Sequence, residues 1–170
     1  MAVQIAAVDG SLVVSGQVER DTGRAIDDDR RRLAQLIVDA TADLVCAFKP
    51  QIAYFASQRE EDALERLCTY ILETYPDVTL ILDAKRGDIG STMAGYADAY
   101  LREGAPLACD ALTVSPYLGV GALGPAVRAA EAAGRGLFVL ALTSNPEGAG
   151  VQHAVGPEGE SVAGAVVRQV

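Results

Sequence analysis

The chain has 170 residues, half of them apolar and 22% charged, with 17 Gly, 7 Pro and no Trp; this excludes disorder and describes one soluble globular domain over residues 1–170. Its formal charge of −9, from 23 acidic against 14 basic side chains, repels phosphate backbones and excludes nucleic acid as a partner. No apolar run approaches the ~20 residues a membrane span requires, and the N-terminus lacks the basic stretch of a signal peptide, so no membrane is expected and the cytoplasm is the expected location.

Apolar runs of strand length alternate with longer segments of helical period, the pattern of parallel βα units. Val3 to Val8 is the first predicted strand. Asp27-Asp28-Asp29 then opens a helix to about Ala42, with its acids at the positive end of the dipole and Leu33, Leu36, Ile37 and Ala40 on one face. Leu44 to Phe48 is the next strand, stopped at Lys49-Pro50 because proline cannot extend a ladder. Gln58 to Tyr75 reads as one long helix, ended by Pro76. Val78 to Leu82 is the strongest strand, running into Asp83-Ala84-Lys85-Arg86-Gly87-Asp88-Ile89-Gly90 and a helix from Ser91 to Leu101. A fourth strand, Ala111 to Val114, precedes a helix over about Ala122 to Ala133. A fifth, Gly136 to Leu142, ends at Thr143-Ser144-Asn145-Pro146, and a final helical piece covers Ser161 to Val170.

Cys46, Cys68 and Cys109 are odd in number, far apart and set among apolar neighbours, which predicts reduced, buried thiols. His153, the only histidine, has no His or Cys nearby, so it reads as a surface-loop residue and no metal site is expected.

Five strands fit either an open doubly wound sheet or part of a (β/α)8 barrel. Lys49, Asp83, Lys85 and the Thr143-Ser144-Asn145 triplet all fall at strand C-terminal ends, which is where barrels assemble their sites. Asp83 and Lys85 are two apart, so a strand that persists through them projects both from one face, within reach of an ion pair. With Lys49 and Asp88 they form an alternating Lys-Asp-Lys-Asp set, a fixed array suited to stabilising developing charge. The plainer account makes Asp83 and Lys85 an ordinary ion pair and Asp88 a cap for the following helix.

Leu82-Asp83-Ala84-Lys85-Arg86-Gly87-Asp88-Ile89-Gly90-Ser91-Thr92 resembles the signature of orotidine 5′-phosphate decarboxylases. The Lys49 segment Phe48 to Phe55, Leu112 to Gly119, and Thr143 to Gly148 resemble companion segments of its bacterial branch, in register from about Asp39 to Val170. The resemblance implies a (β/α)8 barrel that converts orotidine monophosphate to uridine monophosphate with no metal and no organic cofactor. It implies that Lys85 protonates the C6 carbanion, that Asp83 sits against the departing carboxylate, that Lys49 orients Asp83 and contacts ribose, and that Ser144 hydrogen-bonds the pyrimidine. It also implies a homodimer with shared sites, in which Asp88 and Thr92 reach into the neighbouring subunit.

Two departures stand out. The family's N-terminal Asp-Pro has as its nearest counterpart here Asp9-Gly10, with Asp9 the candidate ribose ligand. The family's remaining strands, its phosphate-binding Gly-rich loop and its arginine have no counterpart before Val170, so the expectation is an incomplete barrel of about five to six βα units with impaired activity. Three rivals remain. Gly119-Val120-Gly121-Ala122-Leu123-Gly124 matches a dinucleotide-binding pattern, although Pro116 and Tyr117 separate it from the strand. A sugar-phosphate decarboxylase or aldolase of the same superfamily shares the D-x-K-x-x-D array and commonly uses magnesium. An inactive fragment would serve only as an association partner.

Overall fold

A computed structural model describes residues 2–8, 11–17 and 25–170, with side chains from residue 32 onward. One six-stranded sheet runs in sequence order: β1 (Ala2–Val8), β2 (Ser11–Gln17), β3 (Val45–Phe48), β4 (Thr79–Arg86), β5 (Ala111–Val114) and β6 (Gly136–Val139). From β2 to β6 every neighbouring pair is parallel, and each of these strands is followed by helix: α1 (Ala25–Thr41), α2 (Ile52–Ala56) with α3 (Glu61–Thr74), α4 (Gly90–Tyr100), α5 (Gly124–Ala133), and α6 (Ala149–Gln152) with α7 (Val162–Gln169). Sequential parallel pairing with helical crossovers is the (β/α) barrel arrangement, here five βα units of it.

The chain's start differs from the expectation. Val3 to Val8 does not open a βα unit; it pairs antiparallel with β2, a strand absent from the sequence reading, in register from Ala2↔Gln17 to Val8↔Ser11. Strands that pair antiparallel need only a tight connection, and only two residues separate these.

The predicted long helix Gln58 to Tyr75 is one helix that starts later, α3 at Glu61–Thr74, and a short helix the sequence did not signal, α2 at Ile52–Ala56, precedes it. Glu60 N–H donates to Phe55 O at 3.0 Å and Arg59 N–H to Ala56 O at 3.1 Å, with Arg59 at φ +59, the reverse turn that closes a helix through a left-handed residue. Glycine usually fills that position; here an arginine does, so the break left no signal in the composition. At the other end of the chain, β6 stops at Val139 rather than at Leu142.

Period-2 alternation decides which strand residues meet the helices. Leu80 and Leu82 of β4 and Leu112 and Val114 of β5 are fully buried, packed with Leu64, Cys68 and Ile71 of α3, Met93 and Ala97 of α4, and Ala126 and Ala130 of α5. The odd-numbered residues of β4, including Asp83 and Lys85, take the opposite face. Arg86 returns to the helical side, its guanidinium 5.3 Å from the Tyr96 ring centre and its Nε 3.2 Å from the Tyr100 hydroxyl, which fastens the end of β4 to α4. Among the cysteines, Cys68 and Cys109 are buried as expected, whereas Cys46 is exposed, lying between buried Val45 and Ala47 on a strand whose faces alternate. The Gly119 pattern serves a turn: Gly119 has φ +97 and leads into a short 3-10 turn, Val120–Leu123. Among the described residues no helix is long and apolar enough to cross a membrane.

Candidate active site

The C-terminal ends of β3, β4 and β5 converge on a single carboxylate. Asp83 is 5% exposed, and its two oxygens accept four hydrogen bonds. Oδ2 receives Lys49 Nζ at 2.7 Å and Gln51 Nε2 at 3.0 Å; Oδ1 receives Lys85 Nζ at 2.6 Å and the Thr113 hydroxyl at 2.9 Å. Burial alone would push the Asp83 carboxyl up, but the hydrogen bonds from Lys49, Lys85 and Thr113 outweigh it and hold the group below the ordinary carboxylate range. The carboxylate is thus kept ionised, with every lone-pair direction occupied.

Each donor is placed by its strand. Lys49 follows the last residue of β3, where Pro50 turns the chain, and Pro50 O accepts the Asp83 N–H at 2.9 Å, so the Lys49 segment is tied to β4 through the backbone. Gln51 extends the contact as an isolated parallel bridge to Asp83, while its own side-chain oxygen caps α2 at Ala53 N–H. Lys85 lies within β4, which runs to Arg86, but its φ of +49 departs from the regular strand expected there, so the ion pair forms across an irregular stretch of the ladder. The side chains of Lys49 and Lys85 remain 34% and 46% exposed, whereas the Asp83 side chain between them is 7% exposed.

The fourth charge stands apart. Asp88 Oδ1 accepts Ile89 N–H at 2.7 Å, and among the described residues Asp88 makes no ion pair; three of the four expected charges therefore meet within one chain. Asp88 does not cap α4 either, whose N-cap, Ile89, has no side-chain cap. At Gly87, just before Asp88, an added Cβ would lie 2.1 Å from Ser115 O, so only glycine lets the segments leaving β4 and β5 approach this closely. Thr92 is exposed on the first turn of α4. Ser144 is exposed in the loop after β6, whose neighbours are braced to one another: Thr143 N–H to Gln152 Oε1 at 2.9 Å and Asn145 Nδ2 to Glu147 Oε2 at 3.1 Å. Asp9 lies outside the described residues. His153 is exposed at the end of α6.

Gln51 and Thr113 are the two residues of the cluster that the sequence reading assigned no role. Thr113 carried a faint signal, a hydroxyl inside the otherwise apolar run Ala111-Leu112-Thr113-Val114; Gln51 carried only its adjacency to Lys49-Pro50.

The fold and site define a class: a parallel βα chain of barrel type with a lysine–aspartate–lysine cluster at its strand ends. Residues 24–169 match the sequence model of the orotidine 5′-phosphate decarboxylase / HUMPS family, and the chain belongs to that family. The orotidine 5′-phosphate decarboxylase of Streptomyces coelicolor is 52% identical over 131 residues, covering 77% of this chain and 47% of the relative, and that of Ralstonia pickettii is 60% identical over 117 residues, covering 68% and 41%. A solved structure from Streptomyces avermitilis, described as the same enzyme, superposes with a TM-score of 0.77 at 50% identity over 82% of this chain and 49% of that one. The chain spans about half the length of the curated relatives it matches.

Proposed function

We propose that this protein acts in pyrimidine biosynthesis by decarboxylating orotidine 5′-monophosphate to uridine 5′-monophosphate. The observation that carries the reading is one buried carboxylate, Asp83, clamped at 2.7 and 2.6 Å between the ammonium groups of two partly exposed lysines. In the reaction the bond from C6 to the carboxylate breaks, the electron pair stays on C6, carbon dioxide leaves, and a proton moves from Lys85 Nζ to C6. A localised carbanion is poorly stabilised by water and well stabilised by a fixed ammonium, and lysine can surrender the proton where arginine cannot. Asp83 sits nearest the substrate carboxylate, held there by Lys49, which also reaches the ribose. The charge that develops is met by lysine, so the chemistry needs neither metal nor organic cofactor.

Ser144 is the pyrimidine contact in this reading and Asp9 the ribose contact. Asp88 and Thr92 complete the site of a second copy, a role that fits an unpaired carboxylate at the rim and an exposed hydroxyl four residues on. The working form is then a homodimer in the cytoplasm, where the three free thiols stay reduced. Family membership leaves a second reading, a magnesium-dependent sugar-phosphate enzyme; the Thr143-Ser144-Asn145 loop favours the nucleotide. The test follows the ultraviolet absorbance of orotidine monophosphate with and without a chelator. Turnover unaffected by chelation supports the proposal; absence of turnover, or turnover of a sugar phosphate that magnesium restores, overturns it.

A further inference from the structure

The ladder between β4 and β5 is irregular where the charges sit. Ile81 pairs with Ala111 and Leu82 with Leu112, but the next pair is Arg86 with Val114. Asp83, Ala84 and Lys85 therefore face Thr113 alone, three residues against one, a bulge with two more residues on β4 than the ladder can pair.

Backbone N–H groups stranded by a bulge must find partners, and here a side chain supplies them. The Thr113 hydroxyl oxygen accepts Ala84 N–H and Lys85 N–H, each at 2.9 Å. With both acceptor positions filled, the hydroxyl has one remaining capacity, its proton, and it donates that to Asp83 Oδ1 at 2.9 Å. Lys85 Nζ reaches the same oxygen at 2.6 Å. Lys85 itself has φ +49, a left-handed conformation unusual for a lysine and persistent only where surrounding contacts impose it. Thr113 is 8% exposed, so water does not compete for these bonds.

We propose that Thr113 is a positioning residue for the decarboxylation proposed above: its single hydroxyl fixes the backbone of Lys85 and the carboxylate of Asp83 together, so that ammonium and carboxylate present one rigid geometry to the reacting carbon. It touches no substrate and acts through its two neighbours. The inference rests on the proposed reaction for its kinetic consequence, though not for its structural one.

Thr113→Val keeps the shape and removes the hydroxyl; Thr113→Ser keeps the hydroxyl. In steady-state kinetics, Thr113→Val lowers kcat about 100-fold with KM within about threefold, as expected for a displaced rather than a missing catalytic group, and Thr113→Ser stays within about fivefold of wild type. Amide hydrogen exchange followed by NMR reads the same claim without turnover. Ala84 and Lys85 exchange slowly in the wild type, and about 100-fold faster in Thr113→Val, while Leu80 and Leu112 are unchanged. Wild-type kcat in Thr113→Val, or a loss that Thr113→Ser does not rescue, overturns the proposal. So does fast exchange at Ala84 and Lys85 in the wild type, a measurement that stands even where the valine variant does not fold. If orotidine monophosphate is not a substrate, the proposed function fails and the exchange result alone decides the positioning claim.

Discussion

Asp83 is where burial and charge oppose each other most directly. Its carboxyl titrates below the ordinary value of ~3.9 because three neighbours hydrogen-bond its ionised form, and folding must therefore release a proton in acid. The sign follows: the unfolded chain binds that proton as pH falls through about 4 while the folded chain resists, so the stability Asp83 contributes is complete above about pH 5 and is lost as the pH drops through the folded value. Urea unfolding of wild type and Asp83→Asn should differ by a constant amount near neutrality and converge below about pH 4; a pH-independent difference would contradict the assignment. The thiols give a second residue-scale expectation. Burial pushes Cys68 up to about 12 and Cys109 up to about 11, while Cys46 is exposed. In the native protein a thiol reagent at pH 8 should modify Cys46 alone, with Cys68 and Cys109 reacting only on unfolding.

At the scale of elements, the seam between β4 and β5 is the most constrained stretch. Gly87→Ala places a methyl 2.1 Å from Ser115 O, a contact with rigid backbone that forces the strands apart; we expect a loss of about 1–3 kcal/mol in denaturant unfolding. Gly90→Ala, three residues on, meets nothing within 4 Å at the first position of α4 and should be neutral or slightly stabilising. Equal effects of the two substitutions would remove the seam from the account. The same stretch shows what a sequence can and cannot disclose. The apolar run of β4 and its charged exit were legible because period, composition and a proline-stopped neighbour agreed, and Lys49, Asp83 and Lys85 could be grouped before any coordinates. The bulge was not legible, because it depends on which residues of another strand stand opposite. Gln51 and Thr113 take their roles from that cross-strand register, and Arg59 closes α2 in a conformation its residue type does not advertise.

Across the whole molecule, one sheet face is covered by helices while β6 lies at the sheet edge with Phe138 53% exposed. On the segments leaving β4 and β5, Ile89, Tyr117 and Leu118 are exposed. Exposed apolar side chains that form a patch mark an association surface, and these three residues are where the proposed dimer is to be tested. Sedimentation should give a dimer, and Leu118→Asp should shift it toward monomer and lower activity in parallel; an active monomer would contradict the shared site.

Lys85 is the proton donor of the proposed reaction, and Lys85→Ala tests that role most directly. With uridine monophosphate binding retained, the rate of carbon dioxide release from orotidine monophosphate should fall by about 10²–10⁴-fold, the usual contribution of a placed proton donor. A variant that releases carbon dioxide at the wild-type rate would show that the ammonium beside Asp83 is not the group that meets the carbanion.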